Sequence, residues 1–232
     1  MSWLVLIISS IALGFIVAAS FLRQRFQRDL SAARVEIEEQ QQQMDSIIAE
    51  ARTDPLTGLA NRRALDEELV RLFSLKQRKG VTFTLLMFDV DHFKSFNDQH
   101  GHQIGDQVLQ ILARNLKSTL PDMDLVARYG GEEFAVILPG TFLKDAVCVG
   151  ERIRKLPDLK SVGTECFPDD QCELPITVSY GAAEGIDGEI QDEFLERADQ
   201  ALYAAKQAGR DRGFIHDGQE SKPVSSASVS AS

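Results

Sequence analysis

In DLVARYGGEEFAVILPG, residues 124–140, two apolar runs flank a pair of glycines and a pair of glutamates. A two-residue β-hairpin loop of the primed type needs positive φ at its centre, so Gly130 and Gly131 predict a hairpin with its tip at these residues. Turn geometry does not require Glu132 and Glu133. Their like charges repel each other at the start of a strand, and we therefore expect a positive partner beside them.

Residues 53–216 around this hairpin have the pattern of a mixed α/β domain. VTFTLLMFDV, residues 81–90, is a nearly continuous apolar run that suits a central strand. Helices are expected around residues 65–73, 104–120, 143–156 and 194–209, and further strands at 176–183 and 212–217. The core order β-α-β-β-α-β predicts an α+β fold in which helices cover one face of an antiparallel-rich sheet.

Residues 1–22 predict a transmembrane anchor. The segment 3–22 has no charged residue, and its length matches the ~20 apolar residues that one helix needs to cross a bilayer core. A cleaved signal peptide is the competing interpretation, favoured by the small residues at 18–20. No basic residue precedes the apolar run, whereas arginines follow it directly. The positive-inside bias then makes the chain a single-pass protein of the cytoplasmic membrane, with its remaining residues in the cytoplasm.

Residues 23–52 predict a coiled-coil helix. The segment contains neither Gly nor Pro, and its apolar residues recur at alternating spacings of four and three. The seam contains Phe26, Leu30, Ala33, Ile37, Gln40, Met44, Ile47 and Ala51. A single amphipathic helix packed on its own domain is the alternative. A coiled coil would hold two copies of the following domain side by side as a homodimer, and Asp54-Pro55 would end the helix.

Composition bears on the partners and on the C-terminal end. The 25 Lys and Arg residues against 35 acidic residues give a formal charge of −10, which argues against nucleic acid as a partner but not against a small phosphorylated ligand. The odd number of cysteines, 3, predicts reduced thiols rather than a disulfide framework. Residues 217–232 are Ser-rich and are expected to be disordered, and residues 159–175 have no assignable role.

The central strand runs into FDVDHFKSFNDQHGHQIGD, residues 88–106, which begins with acidic side chains. An Asp89 at the strand end, beside Glu132 and Glu133, would gather three carboxylates. Such a cluster suits Mg²⁺, which takes oxygen ligands and shares its octahedron with substrate phosphates. Taken alone, an aspartate in this stretch is better explained as a helix cap or a solvated turn residue.

A resemblance to a known family rests on four separated blocks. They are DPLTGLANRR (54–63), DVDHFKSFNDQHGHQIGD (89–106), RYGGEEF (128–134) and ADQALYAAKQAGRD (198–211). In this order, over residues 53–216, they resemble the GGDEF family, the diguanylate cyclases, in a GGEEF variant. The resemblance implies a palm-like fold related to nucleotide polymerases. It also implies that two protomers, each binding one GTP, condense the two nucleotides into cyclic di-GMP and release two pyrophosphates.

The resemblance further implies which residues bind the metal. Asp89 and Glu132 would ligate Mg²⁺, for which Mn²⁺ is an alternative, and the carbonyl of Val90 and the carboxylate of Glu133 would lie near the ions. Glu132 would also help to remove the proton of the attacking 3′-hydroxyl. Metal ions at such a site neutralise the triphosphate and stabilise the attacking and leaving oxygens of an in-line displacement.

The nucleotide-binding residues follow from the same resemblance. The phosphates would be met by Lys94, by backbone amides around Phe93, and by Lys206 and Arg210. Guanine would be selected by Asn97 and Asp106, with His102 close to the nucleotide. A carboxylate accepts the N1 and N2 donors of guanine, and adenine inverts that pattern. The alternatives are a solvated Lys94, a helix-terminal charge at Asp106, and cations that favour the end of a helix at 206 and 210.

The sequence departs from the family in one block. The family's product-inhibition site is an Arg-x-x-Asp block whose aspartate lies six positions before the first motif glycine. Here that frame is Pro121-Asp122-Met123-Asp124, so the acid is kept and proline replaces arginine. Without a guanidinium to bind phosphate and guanine in two-pronged fashion, the inhibitory site is expected to be lost or much weakened.

Three functional hypotheses remain open on the sequence alone. The first is the cyclase. The second is a catalytically silent module that binds GTP or cyclic di-GMP, and it is disfavoured because the acidic, basic and amide residues of the motif are all present. The third is an inert, membrane-anchored structural dimer, which leaves the acidic cluster unexplained. No sensory segment is evident, so the input signal cannot be read from the sequence.

Overall fold

The computed structural model describes residues 51–156 and 176–225, together with Trp3 and scattered positions from Arg23 to Ile47. By its contacts the chain divides into two compact units, Met1–Ala51 and Arg52–Ser232. All the candidate site residues lie in the second unit.

The described positions between Arg23 and Ile47 are helical. Three apolar residues of the predicted seam are largely exposed, with Ile37 at 64%, Met44 at 54% and Ile47 at 61%. The seam residues Phe26, Leu30 and Ala33 lie outside the described residues. No helix among the described residues is long and apolar enough to cross a membrane, and the predicted anchor lies outside them except for Trp3.

A mixed sheet of seven strands is the framework of the described part of the second unit. Its strands are β1 (Ala60–Asn61), β2 (Phe83–Val90), β3 (Leu125–Gly130), β4 (Glu133–Pro139), β5 (Val178–Glu184), β6 (Gly213–His216) and β7 (Ser221–Pro223). They lie in the order β1-β3-β4-β2-β5-β6-β7. The central strand β2 is antiparallel to both of its neighbours, β4 and β5, whereas the pairs β1–β3 and β5–β6 are parallel.

Helices connect these strands. They are α1 (Arg62–Lys79), α2 (Phe93–His100), α3 (His102–Thr119), α4 (Leu143–Arg154) and α5 (Gln191–Gln207). The predicted core order β-α-β-β-α-β is confirmed as β2-α3-β3-β4-α4-β5. Local signals set the helix ends: α1 begins where the Asn61 side chain accepts from the Ala64 N–H and ends at Gly80, whose φ is 66°.

The expectation that helices cover only one face of the sheet is wrong. All 8 residues of β2 are buried. Leu85 and Met87 pack in one apolar cluster with α1 and α5, whereas Leu86 and Phe88 pack in another with α3 and α4. Since successive side chains of a strand point to opposite faces, the continuous apolar run of β2 is the pattern of a strand covered on both sides.

Two further elements differ from the sequence expectation. The helix predicted from residue 104 is preceded by α2, and Gly101, with φ at 87°, separates the two because an L side chain rarely adopts that conformation. The predicted disordered tail, residues 217–232, contains the strand β7, in which Lys222 lies opposite Ile215 of β6. Pro223 is tolerated there because β7 is the edge strand.

The hairpin forms where the sequence places it, but its turn is not the predicted one. β3 ends at Gly130 and β4 begins at Glu133, so the connecting residues are Gly131 and Glu132. The pairing shifts between Arg128 and Gly130, which is a β-bulge. Neither Gly130 nor Gly131 has a positive φ, so the primed-turn explanation for the two glycines is wrong.

Candidate active site

The central strand brings Asp89 into the interior with a positive partner. The side chain of Asp89 is 7% exposed, and Nζ of Lys206, in the last turn of α5, lies 2.7 Å from its Oδ2. Burial raises the pKa of Asp89, and the charge of Asp91 adds to that effect, while Lys206 and Arg210 oppose it. The positive partner expected beside the acidic cluster is therefore Lys206.

The hairpin tip reaches the same strand end. Asp89 lies opposite Glu133 across the β2–β4 pair, and the Val90 N–H donates to the carbonyl oxygen of Glu132 at 3.3 Å. Burial raises the pKa of Glu132 and of Glu133, and the charge of Asp89 raises both further. Lys206 acts on both in the opposite direction. These carboxylates interact closely enough to disfavour one another's charge.

The glycine at position 130 is explained by the space that the Glu133 side chain needs rather than by the conformation of the turn. A Cβ added at this position would lie 3.0 Å from Oε2 of Glu133, whereas a Cβ at Gly131 would have no neighbour within 4 Å. Gly130 therefore leaves room for the Glu133 carboxylate, and Gly131 leaves the surface above the hairpin open.

Asp91 has a different role from Asp89, although only one residue separates them. Its side chain accepts the hydroxyls of Thr177 and Ser179, both at 2.7 Å, and the backbone N–H of Asp211 at 3.0 Å. A carboxylate that accepts several hydrogen bonds at once is fixed in place. Asp91 thus ties the end of β2 to β5 and to the segment after α5.

The N-terminus of α2, three residues after the end of β2, has no side-chain cap. His92 occupies the N-cap position with φ at 59°, in the left-handed region, and Phe93 begins the helix with its ring buried. Lys94 follows and is exposed. An uncapped helix N-terminus offers backbone N–H groups and a partial positive charge to anions. The arrangement suits the predicted phosphate contacts of Phe93 and Lys94.

The predicted guanine-selecting residues lie on α2 and α3. Asn97 is half-buried, and its Oδ1 atom is buried without a hydrogen-bond partner. Gly105, in the second turn of α3, lies directly against it: a Cβ there would be 1.9 Å from Asn97 Oδ1. His102 is the first residue of α3, and both His102 and Asp106 are exposed. Sequence reasoning missed Gly105, although the spacing of GHQIGD places it next to Asp106.

Lys206 and Arg210 do not share a helix face. The helix ends at Gln207, and Arg210 lies beyond it with φ at 63°. The two side chains nevertheless serve the same region, because the charges of both lower the pKa of Asp89 against the effect of burial. Their proximity comes from the turn after α5 rather than from helical spacing.

A contact that the sequence did not predict holds the hairpin in place. Nη1 of Arg128 lies 3.2 Å from both carboxylate oxygens of Asp54, and its Nε and Nη2 donate to the Gly131 carbonyl at 3.1 and 2.8 Å. Asp54 also accepts from the N–H and the hydroxyl of Thr57. Although burial acts in the opposite direction, hydrogen bonds from Thr57 and Arg128 lower the pKa of Asp54. The motif's arginine thus links the start of the domain to the hairpin tip.

The donor set fits a divalent cation shared with a nucleotide. Among the residues that the structure describes, no group of three or more His, Cys, Asp or Glu side chains could hold a metal ion by itself, so the expected cluster of three carboxylates is not a ready-made metal site. Mg²⁺ does not need one, because it commonly takes one or two protein carboxylates and completes its octahedron with waters and phosphates. Burial and mutual repulsion disfavour the charges of Asp89, Glu132 and Glu133, and a bound cation relieves both effects.

Comparison with protein families decides where the chain belongs. The family profile described as "Diguanylate cyclase, GGDEF domain" matches residues 51–212.

The chain belongs to the GGDEF family.

Its curated relatives include named diguanylate cyclases. The chain is 41% identical over 186 residues to the diguanylate cyclase DgcP of Pseudomonas aeruginosa, a match that covers 80% of this chain and 26% of DgcP. It is 37% identical over 183 residues to the diguanylate cyclase VdcA of Vibrio cholerae, covering 79% of this chain and 52% of VdcA. The GGDEF chain thus spans between a quarter and about half of the length of these relatives.

Solved structures share the fold. The coiled coil and GGDEF domain of DgcB from Caulobacter crescentus, in complex with c-di-GMP, superposes with a TM-score of 0.73 at 37% identity, covering 82% of this chain and 98% of that chain. The diguanylate cyclase SiaD of P. aeruginosa, in complex with its activator SiaC, gives a TM-score of 0.64 at 38% identity, covering 90% of this chain and 82% of that chain. The palm-like α+β fold of the GGDEF domain is confirmed.

Proposed function

We propose that the chain is a diguanylate cyclase that condenses two GTP molecules into cyclic di-GMP and two pyrophosphates. One observation carries the proposal: Asp89 and the Glu132-Glu133 pair, brought together from separate parts of the chain, lie beside Lys206 with the pKa of each carboxyl raised by burial. Membership of the GGDEF family and the named cyclases among its relatives support it. A site of this kind is suited to triphosphate and metal rather than to an inert scaffold.

The chemistry expected of the chain's own residues follows from their environments. Glu132 would accept the proton of the attacking 3′-hydroxyl as a positioned general base. A divalent ion held by Asp89, Glu132, Glu133 and the Val90 carbonyl would neutralise phosphate charge. Mg²⁺ and Mn²⁺ both suit this set of oxygen ligands.

The nucleotide would be bound by residues on four elements. Lys94 and the backbone amides around Phe93 would meet phosphate charge at the start of α2, and Lys206 with Arg210 would contact the terminal phosphates. Asn97 and Asp106 would read the guanine edge, with His102 close by. Sites built on such hydrogen bonds reject a mismatched base strongly, by ~10⁴-fold in favourable cases.

Dimerisation would supply the second nucleotide. Each domain would bind one GTP, so two protomers must face each other for the 3′-hydroxyl of one nucleotide to reach the α-phosphate of the other. The exposed seam residues Ile37, Met44 and Ile47 support a coiled-coil homodimer, because apolar side chains at heptad spacing are buried when two such helices pair. We further propose that residues 1–22 anchor this dimer in the cytoplasmic membrane with the domain in the cytoplasm.

The deciding experiment is incubation of the full chain with GTP and Mg²⁺ or Mn²⁺, followed by chromatography for cyclic di-GMP and pyrophosphate. We expect product from the wild type and a loss of at least about 10²-fold in Glu132→Gln, the usual scale for removing a positioned acid or base. Glu196→Gln is the matched control, because Glu196 is an exposed glutamate on α5 that contacts Gln200. GTP binding without product would instead indicate the silent binding module.

Residues Pro121–Asp124, which stand where the family has its Arg-x-x-Asp block, predict weak product inhibition. The Asp124 N–H donates to the Pro121 carbonyl at 3.0 Å, and a cavity of about 210 Å³ is lined in part by these two residues. Burial raises the pKa of Asp124, opposed by the charge of Arg152 on α4. Because Pro121 supplies no guanidinium, we expect cyclic di-GMP to bind this surface weakly in calorimetric titration of the full chain. Tight binding that Asp124→Asn abolishes would contradict the prediction.

A further inference from the structure

The turn after α5 holds three consecutive residues at positive φ. The angles are 114° at Gly209, 63° at Arg210 and 47° at Asp211. Glycine adopts such angles readily, whereas residues with a Cβ seldom do. A chain keeps two such non-glycine residues in sequence only where its surroundings hold them, and strain of this kind concentrates at functional sites.

Backbone hydrogen bonds hold the turn from the inside. The Arg210 N–H donates to the Ala205 carbonyl at 3.1 Å, and the Asp211 N–H donates to Oδ2 of Asp91 at 3.0 Å. Asp91 is 8% exposed and is itself fixed by the hydroxyls of Thr177 and Ser179. The turn is therefore anchored to the end of the strand that carries Asp89.

Arg154, the last residue of α4, holds the turn from the outside. Its Nη1 donates to the carbonyl oxygen of Asp211 at 3.0 Å and to Oδ1 of the same residue at 2.6 Å. Its Nε and Nη2 bind the carboxylate of Glu151 at 3.0 and 2.8 Å. Glu151 is nearly buried and also accepts from the Tyr180 hydroxyl. A guanidinium bound at both ends in this way has one orientation.

We propose that Arg154 and Asp91 are positioning residues, which hold the strained turn at Asp211 and so direct Arg210 toward the terminal phosphates of the nucleotide. The inference rests on the proposed function for the role of Arg210. The turn directly follows the helix whose Lys206 contacts Asp89 at 2.7 Å, and the charge of Arg210 opposes the effect of burial on the pKa of Asp89. Without the hydrogen bonds that Arg154 and Asp91 make with Asp211, the turn would relax toward negative φ, and Arg210 would leave that position.

The test is a comparison of equilibrium affinities for GTP and GMP, measured with the full chain under conditions without turnover. Arg154→Met should weaken GTP binding about tenfold and leave GMP binding unchanged, because GMP lacks the phosphates that Arg210 would contact. Lys155→Met is the matched control: Lys155 also contacts Glu151, at 3.1 Å, whereas the hydrogen bonds to Asp211 come from Arg154. The control should bind both nucleotides as the wild type does.

A second variant tests the same contact by a substitution that should leave the protein folded. The Asp211 side chain is 53% exposed, and asparagine tolerates positive φ, so Asp211→Asn should fold and weaken GTP binding by about threefold. Arg154→Met combined with Arg210→Ala should bind GTP no more weakly than Arg210→Ala alone. Equal loss of GTP and GMP affinity, no loss at all, or additive losses in the double variant would each overturn the inference.

These outcomes separate the inference from the proposed function. A wild type that binds GTP more tightly than GMP but makes no cyclic di-GMP would refute the cyclase, and the comparison of variants would still stand. A wild type that binds GTP and GMP equally would overturn the inference, because Arg210 would then make no contact with the terminal phosphates.

Discussion

Asp89 is held by opposing effects, since burial disfavours its charge and the ammonium of Lys206 favours it. Glu132 and Glu133 lie in the same field, and burial and the charge of Asp89 raise the pKa of both. A carboxylate whose pKa is raised by folding binds its proton more tightly in the folded state, so its charge destabilises the fold at neutral pH. The residues suited to hold a cation are therefore a source of instability.

Glu132→Gln should stabilise the protein while it abolishes activity. The substitution removes a charge that burial and Asp89 disfavour, so at pH 7 we expect thermal unfolding without metal or nucleotide to move upward by about 2 °C. The difference should disappear at acid pH, where Glu132 is protonated in the wild type. Differential scanning calorimetry at both pH values measures it, with Glu196→Gln as control. A lower midpoint in the variant at pH 7 would contradict the reasoning.

Gly105→Ala should disturb nucleotide selection through Asn97. The added Cβ would lie 1.9 Å from Asn97 Oδ1 and 3.1 Å from Cζ of Phe93, so the Asn97 side chain must move. We expect KM for GTP to rise about tenfold, with a smaller change in kcat, because the proposed contact of Asn97 is to the base rather than to the reacting atoms. Steady-state kinetics measure the split. An unchanged KM would show that Asn97 does not contact the nucleotide.

At the scale of elements, the packing of α5 on β5 decides where Lys206 lies. The added Cβ of an alanine at Gly181 would be 2.2 Å from both the Ala198 carbonyl oxygen and the Leu202 backbone nitrogen. Helix and strand backbones therefore approach each other more closely than any side chain at position 181 allows. This close approach sets the distance from α5 to β2, and so from Lys206 to Asp89.

Gly181→Ala should destabilise the domain by about 1–3 kcal/mol, the usual cost of overpacking, because backbone atoms rather than a flexible side chain must move. Chemical denaturation monitored by circular dichroism measures the change. Gly131→Ala is the control: its φ is not positive and its Cβ would have no neighbour within 4 Å, so its stability should match the wild type. Equal stability of both variants would show that α5 can shift freely.

The hairpin is an element whose placement depends on a distant residue. Arg128 joins Asp54, at the start of the domain, to the carbonyl of Gly131 at the hairpin tip. Side chains of both members of the ion pair are about one-sixth exposed, at 17% and 16%, so the pair is screened less than a surface pair. The tip that carries Glu132 is thus held from the β1 side as well as by its own strands.

At the scale of the whole molecule, the chain consists of two units for which the sequence predicts different roles. Met1–Ala51 carries the seam, and Arg52–Ser232 carries the carboxylates. Under the proposed function, each domain would bind one nucleotide, and the reaction would require two domains to meet. A paired seam would keep their effective concentration high without adding any contact at the active site.

Replacing Ile37 and Ile47 by glutamate should make activity depend steeply on protein concentration. Both residues are exposed and lie on the predicted seam, where like charges would oppose pairing. We expect specific activity to fall at least about tenfold at low concentration and to recover as the concentration rises. Glu39→Lys, off the seam, is the control. Equal specific activity of variant and wild type at every concentration would contradict a role for the seam.

Much of this architecture is local and can be read from the sequence. The run 81–90 predicts a buried central strand, the core order β-α-β-β-α-β follows from patterning, and the blocks around Asp89 and Gly130-Gly131 identify the family. These features depend on periodicity and on residue types at close spacing, and both can be observed directly in the sequence. The hairpin location was predictable for the same reason.

Contacts between residues that are distant in the sequence could be found only in the folded structure. Helices cover both faces of β2, Lys206 contacts Asp89, and Arg210 reaches that region from a strained turn rather than from the face of a helix. Arg154 binds Asp211, and Arg128 binds Asp54, across 57 and 74 residues of chain. Contacts over such separations depend on sheet order and helix packing, because no periodicity in a sequence records which distant side chains the fold brings together.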